Sequence, residues 1–119
     1  MQAVHAAGGM LLLGVTAAFA LAGLGLTLLG GTQPWLEWAR RILTGLLVIQ
    51  VFVGALLYAT GDRPAEAIHM LYGVLVAGVL PLANVFSSEA PAKARSGVLA
   101  VAGVVTLGLL WRLVRTGGG

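Results

Sequence analysis

The feature that most limits how this chain can fold is the spacing of its charges. Eleven Asp, Glu, Lys and Arg residues gather in clusters and leave four charge-free stretches: residues 1–36, 42–61, 67–88 and 96–111. Crossing a bilayer as a helix takes about 20 apolar residues. The first three stretches reach that length as they stand. The fourth reaches it if the flanking Arg95 and Arg112 extend their charged heads to the membrane surface. Water does not enter the hydrocarbon to satisfy backbone amides, so each stretch has to be helical.

Composition matters here for what it excludes. The chain is 59% hydrophobic and 9% charged, whereas soluble domains carry about a quarter charged residues. Its net charge of +3 comes from Lys and Arg at predicted helix ends, where membrane proteins keep them. The basic balance is therefore no sign of a nucleic-acid partner, and none is expected. Cysteine is absent, which removes disulfides, thiolate metal sites and redox thiols. The first stretch has no Lys or Arg ahead of it, unlike a secretory signal, and reads as a retained helix. No lipidation motif is present.

Turn chemistry divides the chain into predicted helices over residues 2–29, 35–59, 64–87 and 93–115. Gly30-Gly31-Thr32-Gln33-Pro34 ends the first, and Trp35 and Trp38 suit an interfacial aromatic belt. Thr60-Gly61-Asp62 stops the second, and Pro64 suits the first turn of the third. Pro81 is expected to kink the third, Ser88-Glu89-Ala90-Pro91 ends it, and Gly117 to Gly119 are expected to fray. The expected fold is all-α: a single-domain, integral membrane, antiparallel four-helix bundle over residues 1–119. Short connections make consecutive helices neighbours, so the first and third lie across the bundle diagonal. Both termini then share one side, side A, with Arg63, Arg112 and Arg115. Side B holds Arg40, Arg41, Lys93 and Arg95. Four cations against three favours side B as cytoplasmic and the termini as extracytoplasmic, in a bacterial or archaeal plasma membrane.

The first and third helices contain a repeat. Val4-His5-x-x-x-Gly9-x-x-x-x-Gly14-Val15 aligns with Ile68-His69-x-x-x-Gly73-x-x-x-x-Gly78-Val79, and His5 and His69 are the only two histidines in the chain. Each sits about one and a half turns into its helix from side A, so the two are at matched depth. Facing inward, two neutral imidazoles can serve as axial ligands of one haem iron. A flat porphyrin needs clearance between helices, and Gly9 and Gly73, four residues after each histidine, provide it on the same face. Counting back along the second and fourth helices puts Gly54 and Gly108 near that level. Arg63, Arg112 and Arg115 are available to the propionates on side A. The plainer reading places each histidine in the headgroup region and uses the glycines for close helix packing.

Glu66 precedes His69 by three residues, on nearly the same face. It is a candidate catalytic carboxylate beside the haem, or a first-turn Glu favoured by the helix dipole. Gln50, Asn84, Thr16 and Thr106 lie within the spans and are expected to bond between helices. Tyr58 and Tyr72 are expected in the belt or at the haem edge.

From Gln50-x-x-x-Gly54 through Glu66-Ala-Ile-His69-x-x-x-Gly73, the sequence resembles the haem A synthase family and its half-size, four-helix relatives. The resemblance implies a haem-binding bundle with two axial histidines, His5 and His69, on parallel helices. It also implies a role for Glu66 in hydroxylating a haem methyl group. The chain departs from the family pattern at Ala6 and Met70, where an Arg commonly follows a ligand histidine. It places the Glu motif on the second histidine helix rather than the first, and it forms one bundle rather than two. A homodimer would restore two.

These readings lead to a membrane b-type haem protein with bis-His ligation, acting in electron transfer, haem handling or oxidase assembly. It would sit in the lipid bilayer, as a homodimer or within a larger respiratory or membrane complex. A haem-modifying oxidoreductase using Glu66 is the enzymatic version. The alternative is a cofactor-free accessory or structural subunit of a membrane complex. A proton-coupled transporter needs a carboxylate within the membrane, and the charge-free stretches contain none.

Overall fold

Helices form where the charge-free stretches lie. The computed structural model describes residues 2–30, 34–61 and 67–117, apart from the side chains of Gln2 and Lys93. It has four helices: α1 (Gln2–Leu28), α2 (Pro34–Ala59), α3 (Ile68–Ser87) and α4 (Ala92–Thr116). Their ends lie close to the turn signals. Gly30 and Gly61 take φ of 108° and 104°, a left-handed backbone that costs glycine little and lets the chain leave a helix sharply. The expected start of the third helix at Pro64 lies outside the described residues, as do Arg63 and Glu66. The helix runs unbroken through Pro81, as membrane helices allow when neighbours satisfy the freed carbonyl.

All four helices are long and apolar enough to cross a membrane. The described bundle is 48 Å long and 22 by 20 Å across, close to the roughly 40–45 Å of a bilayer with its headgroups. Its exterior is as apolar as its interior. Leu36, Leu43, Leu47, Val76, Leu80, Leu99 and Leu110 fill the core, while Leu21, Leu28, Phe52, Val74, Phe86 and Val101 lie on the surface. In water such a surface would aggregate; in lipid it is solvated. The protein is an integral membrane antiparallel four-helix bundle.

Helix α1 packs against α2 and α4, and α3 against the same two, leaving α1 and α3 diagonal. The closest seam is α1 against α4. A Cβ added at Gly103 would come within 3.1 Å of the Ala20 Cβ, and one at Gly23 within 3.2 Å of the Ala100 Cα. Small residues three apart on each helix let the backbones meet, which is how membrane helices gain packing energy when the hydrophobic effect cannot drive them together. At the side B end of this seam Thr27 Oγ1 donates to Gly23 O at 2.8 Å and lies within hydrogen-bond distance, 3.0 Å, of Ser96 Oγ on α4.

The side B end is closed by charge. Glu37 on α2 accepts from Arg40 at 2.5 Å and from Arg95 of α4 at 2.6 Å, and Arg41 lies at 3.5 Å. The same Arg95 nitrogen donates to Asn84 Oδ1 of α3 at 2.6 Å. Arg95 was expected to reach out to the membrane surface. It turns inward instead, because Glu37 and Asn84 together offer a desolvated guanidinium better partners than the surface does. The Arg95 guanidinium thus ties three helices, α4 to α2 through Glu37 and to α3 through Asn84.

A candidate ligand site between the two histidines

Side A is built differently. His5 on α1 and His69 on α3 face each other across the diagonal, with ring centroids 6.3 Å apart and ring planes 74° apart. Both line one cavity of about 270 Å³, with Gly9, Gly54, Gly73 and Gln50 in its wall. Its lining also includes Ala6, Met10, Ala55 and Met70, all exposed on the outer surface. The cavity is therefore open toward the side of the bundle rather than sealed.

The glycines make this space. Gly54 lies against the His5 ring: a Cβ there would sit 3.0 Å from His5 Cε1. At Gly9 and Gly73 an added Cβ would meet side chains in ordinary contact at 3.7 and 3.9 Å, and both positions border the cavity. Gly108 does not belong with them. It is exposed, with nothing within 4 Å of an added Cβ, and it does not line the cavity. It lies nine residues before Gly117, about two and a half turns, which places it deeper and on the opposite face of α4. The outer pair of the repeat, Gly14 and Gly78, turns outward for the same reason: each is nine residues from its histidine.

On α4 the role falls to Gly117, which was expected to fray. Its N–H donates to Leu113 O at 3.0 Å, and a Cβ there would lie 2.8 Å from His69 Cε1, so only glycine leaves the ring its place. His69 Nδ1 is 2.7 Å from Leu113 O and 3.2 Å from Thr116 Oγ1. A carbonyl oxygen can only accept, so Nδ1 carries a proton, and in the neutral ring Nε2 keeps its lone pair. His5 is held otherwise. Its backbone carbonyl accepts a bond from Gln50 Nε2, while its buried ring Nδ1 has no hydrogen-bond partner among the described residues. Gly8 gives the Gln50 amide its room: a Cβ there would come 2.6 Å from Gln50 Oε1.

The other expected polar residues divide. Gln50 and Asn84 bond between helices as expected. Thr106 Oγ1 instead donates to Ala102 O in its own helix, and Thr16 Oγ1 is buried without a partner among the described residues. Tyr58 lines the cavity. Tyr72 lies under Arg112, whose guanidinium is 5.9 Å from the ring centroid, and Arg115 stands at the same distance over Trp111. Both cations are thus at side A, though neither lines the cavity. Trp35 and Trp38 are exposed beside side B, with Arg41 over Trp38 at 5.4 Å. Sequence reasoning missed Leu113, Thr116 and Gly117. Gly117 could have been found by counting from Arg112 along the side A turn; the Leu113 carbonyl leaves no signal in a side-chain pattern.

Two imidazoles can hold one metal atom between them. Bonds of about 2 Å on either side plus the half-widths of two rings span roughly 6 Å, the separation seen here. Comparison with protein-family models, curated proteins and solved structures finds no match to this chain.

Proposed function

We propose that this chain is a membrane b-type haem protein, with His5 and His69 as axial ligands, that serves electron transfer, haem handling or oxidase assembly. The observation that supports this best is the pair itself: two inward histidines of diagonal helices, 6.3 Å apart, in a cavity cleared by Gly9, Gly54 and Gly73. Among the described residues no third His, Asp or Glu joins them. A metal held here needs donors beyond those two, and a porphyrin brings four nitrogens of its own. The cavity of about 270 Å³ is slightly below the roughly 300–1,000 Å³ of small-molecule sites. Its open side lets a flat ring seated on the histidines extend toward lipid. Arg112 and Arg115 are the described side A cations that could meet propionates. When bound, haem would supply one-electron redox chemistry; the chain's part is to hold and orient it and keep water away. Glu66, the residue on which a haem-modifying reaction would depend, lies outside the described residues.

The test is to add haemin to the protein in detergent and record its absorption and EPR spectra. A Soret band with low-spin iron is expected. Ring planes 74° apart favour a strongly anisotropic low-spin EPR signal over the rhombic one of parallel imidazoles. His5→Ala and His69→Ala should each abolish the low-spin signal; a wild-type protein that takes up no haemin refutes the reading.

A second reading rests on a separate observation. Gly14, Gly45, Gly78 and Gly108, one on each helix, are exposed and have nothing near an added Cβ. Such smooth positions suit close approach by another transmembrane helix, from a second copy or a larger complex. A cofactor-free accessory subunit would seat a partner helix at one of these positions and show no Soret band.

A further inference from the structure

The two histidines are not equivalent. Resting on the haem reading, we propose that His69 is the permanent ligand and His5 the exchangeable one, so that the loaded protein accepts a small neutral ligand at the position His5 leaves.

The difference lies in what holds each ring. Metal-ligating histidines nearly always donate their other N–H to a protein acceptor, which fixes the tautomer, aims the ring and strengthens the donor nitrogen. His69 has this in full. Its Nδ1 donates to Leu113 O at 2.7 Å, with Thr116 Oγ1 at 3.2 Å. The Leu113 carbonyl is itself fixed by the Gly117 N–H at 3.0 Å and the Thr116 hydroxyl at 3.2 Å. Gly117 completes the seat by leaving no side chain where the ring lies.

His5 has the seat without the bond. Gly54 makes room for the ring, and Gln50 holds the backbone carbonyl of the same residue. Nothing in the described structure bonds the ring Nδ1, so no hydrogen bond fixes its tautomer or its rotation about the Cβ–Cγ bond. Space for the ring to move lies beside it, in the cavity that both histidines line. A ring with a held backbone, a free nitrogen and an adjacent void can leave a metal and return without disturbing its helix.

The experiment uses haemin-loaded protein in detergent, reduced and titrated with carbon monoxide. In the wild type, carbon monoxide is expected to replace one axial nitrogen, read from the shifted Soret band. His5→Ala should keep its haem, become five-coordinate and bind carbon monoxide more tightly than wild type. His69→Ala should weaken haemin affinity by about 10- to 100-fold relative to His5→Ala. Gly54→Ala, which presses on the His5 ring and leaves His69 untouched, should raise the high-spin fraction while helical circular dichroism stays unchanged. Saturating carbon monoxide that leaves a loaded wild type unchanged overturns the proposal, as does equal haem loss in the two histidine variants. Absence of haemin uptake by wild type overturns the haem reading and this proposal with it, and is told apart by the missing Soret band.

Discussion

At the end of the bundle that holds Glu37, the helices are drawn together; at the end that holds the histidines, they stand apart around a void. The closed end combines backbone approach with charge. Gly23 and Gly103 bring α1 and α4 into contact, and Glu37 draws in Arg95, which also holds Asn84. The hollow end uses the same residue type to the opposite effect, since Gly9 and Gly73 face side chains at the cavity wall rather than backbone. A glycine in a membrane helix thus has two uses, and only its azimuth and its neighbour distinguish them.

That contrast can be broken by adding side chains at each end. The largest effect is expected from Gly103→Leu, whose Cβ alone would lie 3.1 Å from the Ala20 Cβ. Overpacking of this kind costs about 1–3 kcal/mol, seen as a lower thermal midpoint in detergent. Glu37→Gln should follow, at about 1–2 kcal/mol, because Arg95 would lose its counter-charge while the partial exposure of Glu37 tempers the loss. An unchanged midpoint would show that the ion cluster does not close that end. The smallest effect on stability belongs to Gly73→Ala, whose Cβ would find its nearest neighbour at an ordinary 3.9 Å. It should leave stability level or raise it by up to about 1 kcal/mol, the helix preference of alanine over glycine, yet reduce haemin uptake. A large loss of stability there would mean that the hollow end is packed as tightly as the other.

The bundle could be read from the chain because charge spacing and turn residues act locally. The clusters at 37–41, 62–66, 89–95 and 112–115 bound the spans, and each described helix end falls within a few residues of its turn signal. The matched depth of His5 and His69 follows from counting residues; that both rings face inward and meet comes from the packing. Counting fixed depth but not direction. Gly108 was placed by depth alone, although nine residues of helix turn it away from the face that carries Gly117. Arg95 was expected outside because its partners, Glu37 and Asn84, lie on other helices, and no pattern within one helix reports their rotation. The hydrogen bond that orients His69 ends on a backbone carbonyl, which every residue possesses and no sequence marks.

The acceptor for that bond, Leu113 O, belongs to the last turn of α4. Terminal turns open more readily than helix interiors, with little of the molecule's full free energy of unfolding. The aim of the His69 ring is therefore tied to the local melting of four residues rather than to the stability of the bundle. Warming should loosen this imidazole while the spans remain helical, so the temperature at which the site loses its shape and the temperature at which the chain unfolds are two separate quantities.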